Sequence, residues 1–139
     1  MKNTQFFVTA SKTPKPMYAD FKADHTFSNR QMESLRMLNK YPDRVPVICQ
    51  RNPKANKDCP FIDKIKYLIP LELTLAQFLY VIRQRMHLSS EKALFIFING
   101  NMLSMSSMIS QVYTEYQDDD GFLYVTYNTE NTFGGGEVL

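Results

Sequence analysis

The segment LTLAQFLYVIRQRMHL, residues 73–88, limits the fold more than any other stretch of the chain. Leu75, Phe78, Leu79, Ile82 and Met86 recur there at helical intervals and form one apolar stripe, with Thr74 where an N-cap belongs. Strand-like runs stand on both sides: VPVICQR at 45–51 and IKYLIP at 65–70 precede it, and LFIFI at 94–98 and FLYVTY at 122–127 follow it. A helix set between two pairs of strands must lay its stripe across one face of their sheet.

Two further helices complete the pattern. Ser28 and Gln31 have capping-box spacing ahead of Met32, Leu35 and Leu38, which predicts a helix over 29–40 that Pro42 helps to stop. Ser106 or Ser107 can cap a short helix carrying Met108, Ile109, Val112 and Tyr113. LFIFI, bounded by the turn pair Asn99-Gly100, reads as a central strand buried on both faces. The order helix, strand, strand, helix, strand, helix, strand predicts an α+β fold. It is a four-stranded mixed sheet with a crossover helix, the last strand beside the first. This is the ubiquitin-like β-grasp, preceded by additional N-terminal helical residues. Residues 1–24 are polar and carry Pro14 and Pro16, so they read as a flexible N-terminal arm. Residues 25–133 make the domain, and 134–139, rich in glycine, a flexible tail.

With 139 residues, 44% of them hydrophobic, the chain can bury a core, which excludes a rod or a disordered tail. Its longest apolar run, 93–98, is six residues, against the roughly 18 a membrane-spanning helix needs. The start MKNTQFFVTASKTPKP has no long apolar signal core, and an intracellular protein is expected. Cys49 and Cys59 lack metal-ligand spacing and read as packed thiols. No G-x-S-x-G, H-E-x-x-H or glycine-rich phosphate loop is present in the sequence. His87 suits a capping charge at a helix end, and His25 adjoins the arm. The residues thus point away from an enzyme and imply no cofactor or metal. Lys54, Lys57, Lys64 and Lys66 surround Phe61, but a net charge of +2 and a pI near 8.5 fall short of a nucleic-acid footprint.

That net charge is unevenly spread, at +7 over residues 1–66 and −5 over 67–139, so the front half offers a surface for acidic groups. Alternation along the second strand puts Ile65, Tyr67 and Ile69 on one face and Lys64, Lys66 and Leu68 on the other. A strand edge flanked by lysines can accept an extended peptide as an additional strand. Main-chain hydrogen bonds then supply affinity, and apolar pockets beside the strand supply specificity.

KYPDRVPVI at 40–48, KYLIP at 66–70, LTLAQFLYVIRQRMHL at 73–88, KALFIFIN at 92–99 and FLYVTY before a Phe-Gly pair closely resemble the ubiquitin-like autophagy modifiers. This is the family of the microtubule-associated-protein light chains and the GABA-receptor-associated protein. The resemblance runs from about His25 to Gly134. It implies a non-enzymatic modifier that a cysteine protease cuts after a glycine following an aromatic residue, here Phe133-Gly134, with loss of residues 135–139. Gly135 and Gly136 stay open as alternative cut positions. Activating and conjugating enzymes would then carry the glycine carboxylate as a thioester and join it covalently to phosphatidylethanolamine. A cytoplasmic protein would thereby move to the autophagosomal membrane, held by two acyl chains. Glycine suits these steps because a residue without Cβ passes a narrow cleft.

The resemblance also implies binding of aromatic-x-x-aliphatic motifs in cargo receptors and autophagy machinery. By position, Glu33, Met37, Pro46, Ile48, Lys66, Leu68 and Phe122 would form the aromatic pocket. Tyr67, Ile69, Pro70, Leu73, Phe78, Val81 and Ile82 would form the aliphatic pocket, with Arg44 and Arg85 at its edge. The alternative reading is an unconjugated soluble adaptor that binds tubulin or trafficking proteins through the basic arm.

Overall fold

The computed structural model describes residues 7–9 and 20–131. In chain order its elements are β1 (Phe7–Thr9), α1 (Phe21–Asp24), α2 (Phe27–Lys40), β2 (Arg44–Arg51), β3 (Lys66–Pro70), α3 (Leu75–Met86), β4 (Phe95–Ile98), α4 (Ile109–Tyr116) and β5 (Leu123–Asn128). The strands form one sheet in the order β1-β3-β2-β5-β4. β2 pairs antiparallel with β3 and parallel with β5, so the last strand does lie beside the first of the four expected ones. Those four make the mixed sheet that the sequence predicts, and β1 adds a short fifth strand to the outer edge of β3.

β2 is the centre of the molecule, and alternation divides its side chains between two clusters. Val45, Val47 and Cys49 join Tyr67, Ile69 and the stripe of α3 in the main core. Ile48 faces the opposite way, into a smaller cluster with Phe21 of α1 and Phe122. Pro46 sits inside this strand at no cost to the ladder. The Cys49 N–H donates toward β3, to the Ile65 carbonyl, so the alternating N–H positions at 47 and 45 point the same way and position 46 points toward β5. Pairing with β5 begins only at Val47, one residue after the missing donor.

Thr74 caps α3 as expected, completing a capping box with Gln77, and His87 ends that helix in the left-handed region at φ 55°. Other boundaries differ from the sequence reading, each for a local reason. α2 begins two residues early because Thr26, not Ser28, accepts from the Asn29 N–H. α4 has no side-chain cap. The Ile109 and Ser110 N–H groups instead donate to the Leu73 and Leu71 carbonyls, so the connection between β3 and α3 serves where Ser106 or Ser107 was expected. β4 is buried at Ile96, Phe97 and Ile98 but is not central: among the described residues it stands at the rim of the sheet with β5 as its one strand neighbour. Helical order starts at Phe21 rather than after residue 24, because Asp20 caps α1 and Phe21 is buried. The expected tail, with Phe133-Gly134, lies outside the described residues.

Candidate functional site

The residues expected to line the aromatic pocket come from α2, β2, β3 and the position just before β5, and strand register explains how the strand residues meet. Pro46 faces Leu68 across the ladder, and Ile48 faces Lys66. Directly opposed residues share a face, so all four stand on the side that carries the smaller cluster. α2 presents Glu33 and Met37 there, one helical turn apart. The Lys66 ammonium meets the Glu33 carboxylate at 2.5 Å, and Met37 packs against the cluster of Ile48 and Phe122.

Phe21, which the sequence reading did not name, packs in the same cluster as Ile48 and Phe122. Its ring meets Phe122 edge to face at 5.2 Å between centroids and lies 4.3 Å from the His25 ring. Lys66 Nζ stands 5.7 Å from the same ring, and the Phe21 N–H donates to Gln50 Oε1 at 2.7 Å. The one signal for it in the sequence is Asp20, a helix-capping residue directly before an aromatic. The result is an apolar floor with a cation at its rim, able to take a hydrophobic ring below and an acidic group above. Ile48 and Phe122 expose no surface, so any group reaching them would have to displace a neighbour in the cluster such as Phe21 or Met37.

The residues expected in the aliphatic pocket separate into core and rim. Tyr67, Ile69, Phe78 and Ile82 are buried in the main core, where Tyr67 and Phe78 stack edge to face at 6.0 Å. Pro70, Leu73 and Val81 are half-buried, as are Arg44 and Arg85 at the rim. Arg85 reaches Asp63 at 3.3 Å, yet its Nε is buried with no acceptor among the described residues.

A buried polar hub fixes α2 against the turn before β5. Asp120 accepts from Arg30 Nε at 2.7 Å, from the Tyr124 hydroxyl at 2.6 Å and from the Phe122 N–H at 2.9 Å. Arg30 also donates to the carbonyls of His25 and Lys22. Ser34 donates to the Asp120 carbonyl, at a place where Gly121, with φ 94°, leaves no room for a Cβ. Burial, and then the bond to Asp120, push the Tyr124 phenol up. Partial burial opposes ionisation of Asp118, but Lys22 and the Asp120 N–H outweigh it and hold that carboxyl below its ordinary range. Burial pushes the Cys49 thiol up, which keeps it protonated and unreactive.

A mixed sheet with parallel β2 and β5 at its centre and α3 laid across one face defines a ubiquitin-like protein. The chain belongs to the Atg8 autophagy family: the family model described as "Autophagy protein Atg8 ubiquitin like" matches residues 29–134. It is 52% identical over 118 residues to autophagy-related protein 8 of Lodderomyces elongisporus, covering 85% of this chain and 80% of that one. Autophagy-related protein 8c of Arabidopsis thaliana is 50% identical over 116 residues, covering 84% and 96%. The crystal structure of Trypanosoma brucei ATG8 superposes with a TM-score of 0.76 at 39% identity, covering 84% of this chain and 98% of that chain.

Proposed function

We propose that this protein is a ubiquitin-like modifier cut after Gly134, conjugated through that glycine to phosphatidylethanolamine, and used on the autophagosomal membrane to bind aromatic-x-x-aliphatic motifs. The observation that carries the conjugation reading is the family match, which ends at residue 134, the glycine after Phe133. A processing protease, an activating enzyme and a conjugating enzyme are the partners this chemistry requires, and motif-bearing cargo receptors are the ligands. Among the described residues no helix is long and apolar enough to cross a membrane. Two acyl chains on Gly134 supply an anchor by themselves. Intact-mass measurement of the protein from autophagy-competent cells is expected to show loss of residues 135–139, followed by a lipid adduct. Gly134→Ala is expected to show neither. A wild-type chain that keeps Leu139, or a Gly134→Ala chain that still gains lipid, overturns the assignment.

The recognition reading rests on the cation-rimmed apolar cluster beside β3. Lys66 is half-exposed, so its ammonium can exchange Glu33 for an acid on the ligand. Lys66→Ala is expected to weaken binding of an acid-flanked aromatic-x-x-aliphatic peptide by roughly threefold to tenfold. Calorimetry measures this, with an unchanged melting curve as the control for folding. Equal affinity removes Lys66 from the site.

A further inference from the structure

A peptide that adds to β3 as a strand needs the side of β3 turned away from β2, and the sheet already holds a strand there. β1 runs antiparallel along that side, with Phe7 opposite Leu68, Val8 opposite Tyr67 and Thr9 opposite Lys66. The other side of β3 is paired with β2 along its whole length. Main-chain donors and acceptors on one edge can serve one strand at a time. Lys66 and Leu68, which β1 faces, are also the β3 residues placed in the aromatic pocket.

We infer that residues 7–9 are a built-in competitor for this edge: an extended peptide that joins β3 must first displace β1. The inference rests on the recognition reading above and adds its regulation. Ten residues, 10–19, join Thr9 to Asp20. A tether of that length holds β1 near its edge at an effective concentration on the order of millimolar. Three paired residues make a weak strand, since even a free two-stranded hairpin is marginal in water. β1 therefore closes the edge without sealing it, and a ligand's apparent dissociation constant rises by the inverse of the open fraction. The balance can be set from outside the domain, by anything that captures the segment before Asp20.

The test replaces Phe7 and Val8 together by proline in the full chain. Neighbouring residues of a strand point their N–H groups to opposite sides, so one of the two lost donors faces β3 whatever the phase of the ladder. The double variant Phe7→Pro/Val8→Pro is expected to bind the acid-flanked peptide roughly threefold to tenfold tighter than the wild type. Without peptide, hydrogen exchange at the edge-facing amides of Lys66–Leu68 is expected to speed up, while the main core keeps its protection as the folding control. Equal affinity in the two proteins, with clear binding in both, overturns the competition and leaves the recognition reading standing. Unchanged exchange at β3 also overturns it. Peptide binding by neither protein refutes the recognition reading, and the competition falls with it.

Discussion

Asp120→Ala is expected to destabilise the fold by about 3–5 kcal/mol, the range for breaking a buried ion pair from one side. Asp120 is fully buried and the Arg30 side chain is 11% exposed. Removing the carboxylate leaves a guanidinium with its main counter-charge gone, strands the buried Phe122 N–H and takes away the acceptor of the partly buried Tyr124 hydroxyl. All three losses fall on the hub that holds α2 against β5, so the small cluster around Phe21 should loosen as well. Urea unfolding followed by far-UV circular dichroism reads the effect directly, and the chain has no Trp to report by fluorescence. Asp119→Ala, an exposed neighbour, is the control and should stay within about 0.5 kcal/mol of the wild type. A loss below about 1 kcal/mol for Asp120→Ala would show that Arg30 finds another partner and that the hub is dispensable.

Phe78→Ala is expected to cost a similar amount, about 3–5 kcal/mol, by a different route. Phe78 exposes no surface, belongs to the main core and meets Tyr67 edge to face. Truncation opens a cavity under the sheet and removes an aromatic pair. Against a typical domain stability of about 5–15 kcal/mol, that is a large fraction. The same denaturation experiment checks it, and Val81→Ala, half-buried on the same helix, should lose far less. Near-equal losses for the two would mean that α3 does not press its stripe onto the sheet. The contrast also decides how the proposed aliphatic pocket can be probed. A weaker peptide affinity in Phe78→Ala or Tyr67→Ala reports a damaged core, whereas Val81 and Pro70 can be changed at the rim.

Periodicity was enough to place α3, its capping Thr74 and the four main strands, because each depends on neighbours within a few residues. What it could not supply depends on partners far away in sequence. LFIFI is apolar enough for a central strand, yet among the described residues it pairs with β5 alone and so stands at the rim, which no local pattern encodes. The start of α4 is satisfied by the Leu71 and Leu73 carbonyls, so a search for a capping side chain had nothing to find. Phe7–Thr9 and Phe21 were passed over because short apolar pieces in a polar segment carry no period. In the site, composition pointed only to lysines beside a strand. The family resemblance named the remaining positions, and register then showed that Pro46, Ile48, Lys66 and Leu68 share one face.

β2 and β5 run side by side through five register pairs, from Val47 opposite Leu123 to Arg51 opposite Tyr127. The chain enters β2 at one end of this pair and leaves β5 at the other. Mechanical tension applied through the segment after Asn128, resisted by whatever holds the helices ahead of β2, therefore acts in shear along the strands. All the rungs bear load together and must rupture together, where an antiparallel hairpin pulled from its open end would unzip one rung at a time. A body built this way resists force best in the direction along which its own C-terminal end would pull.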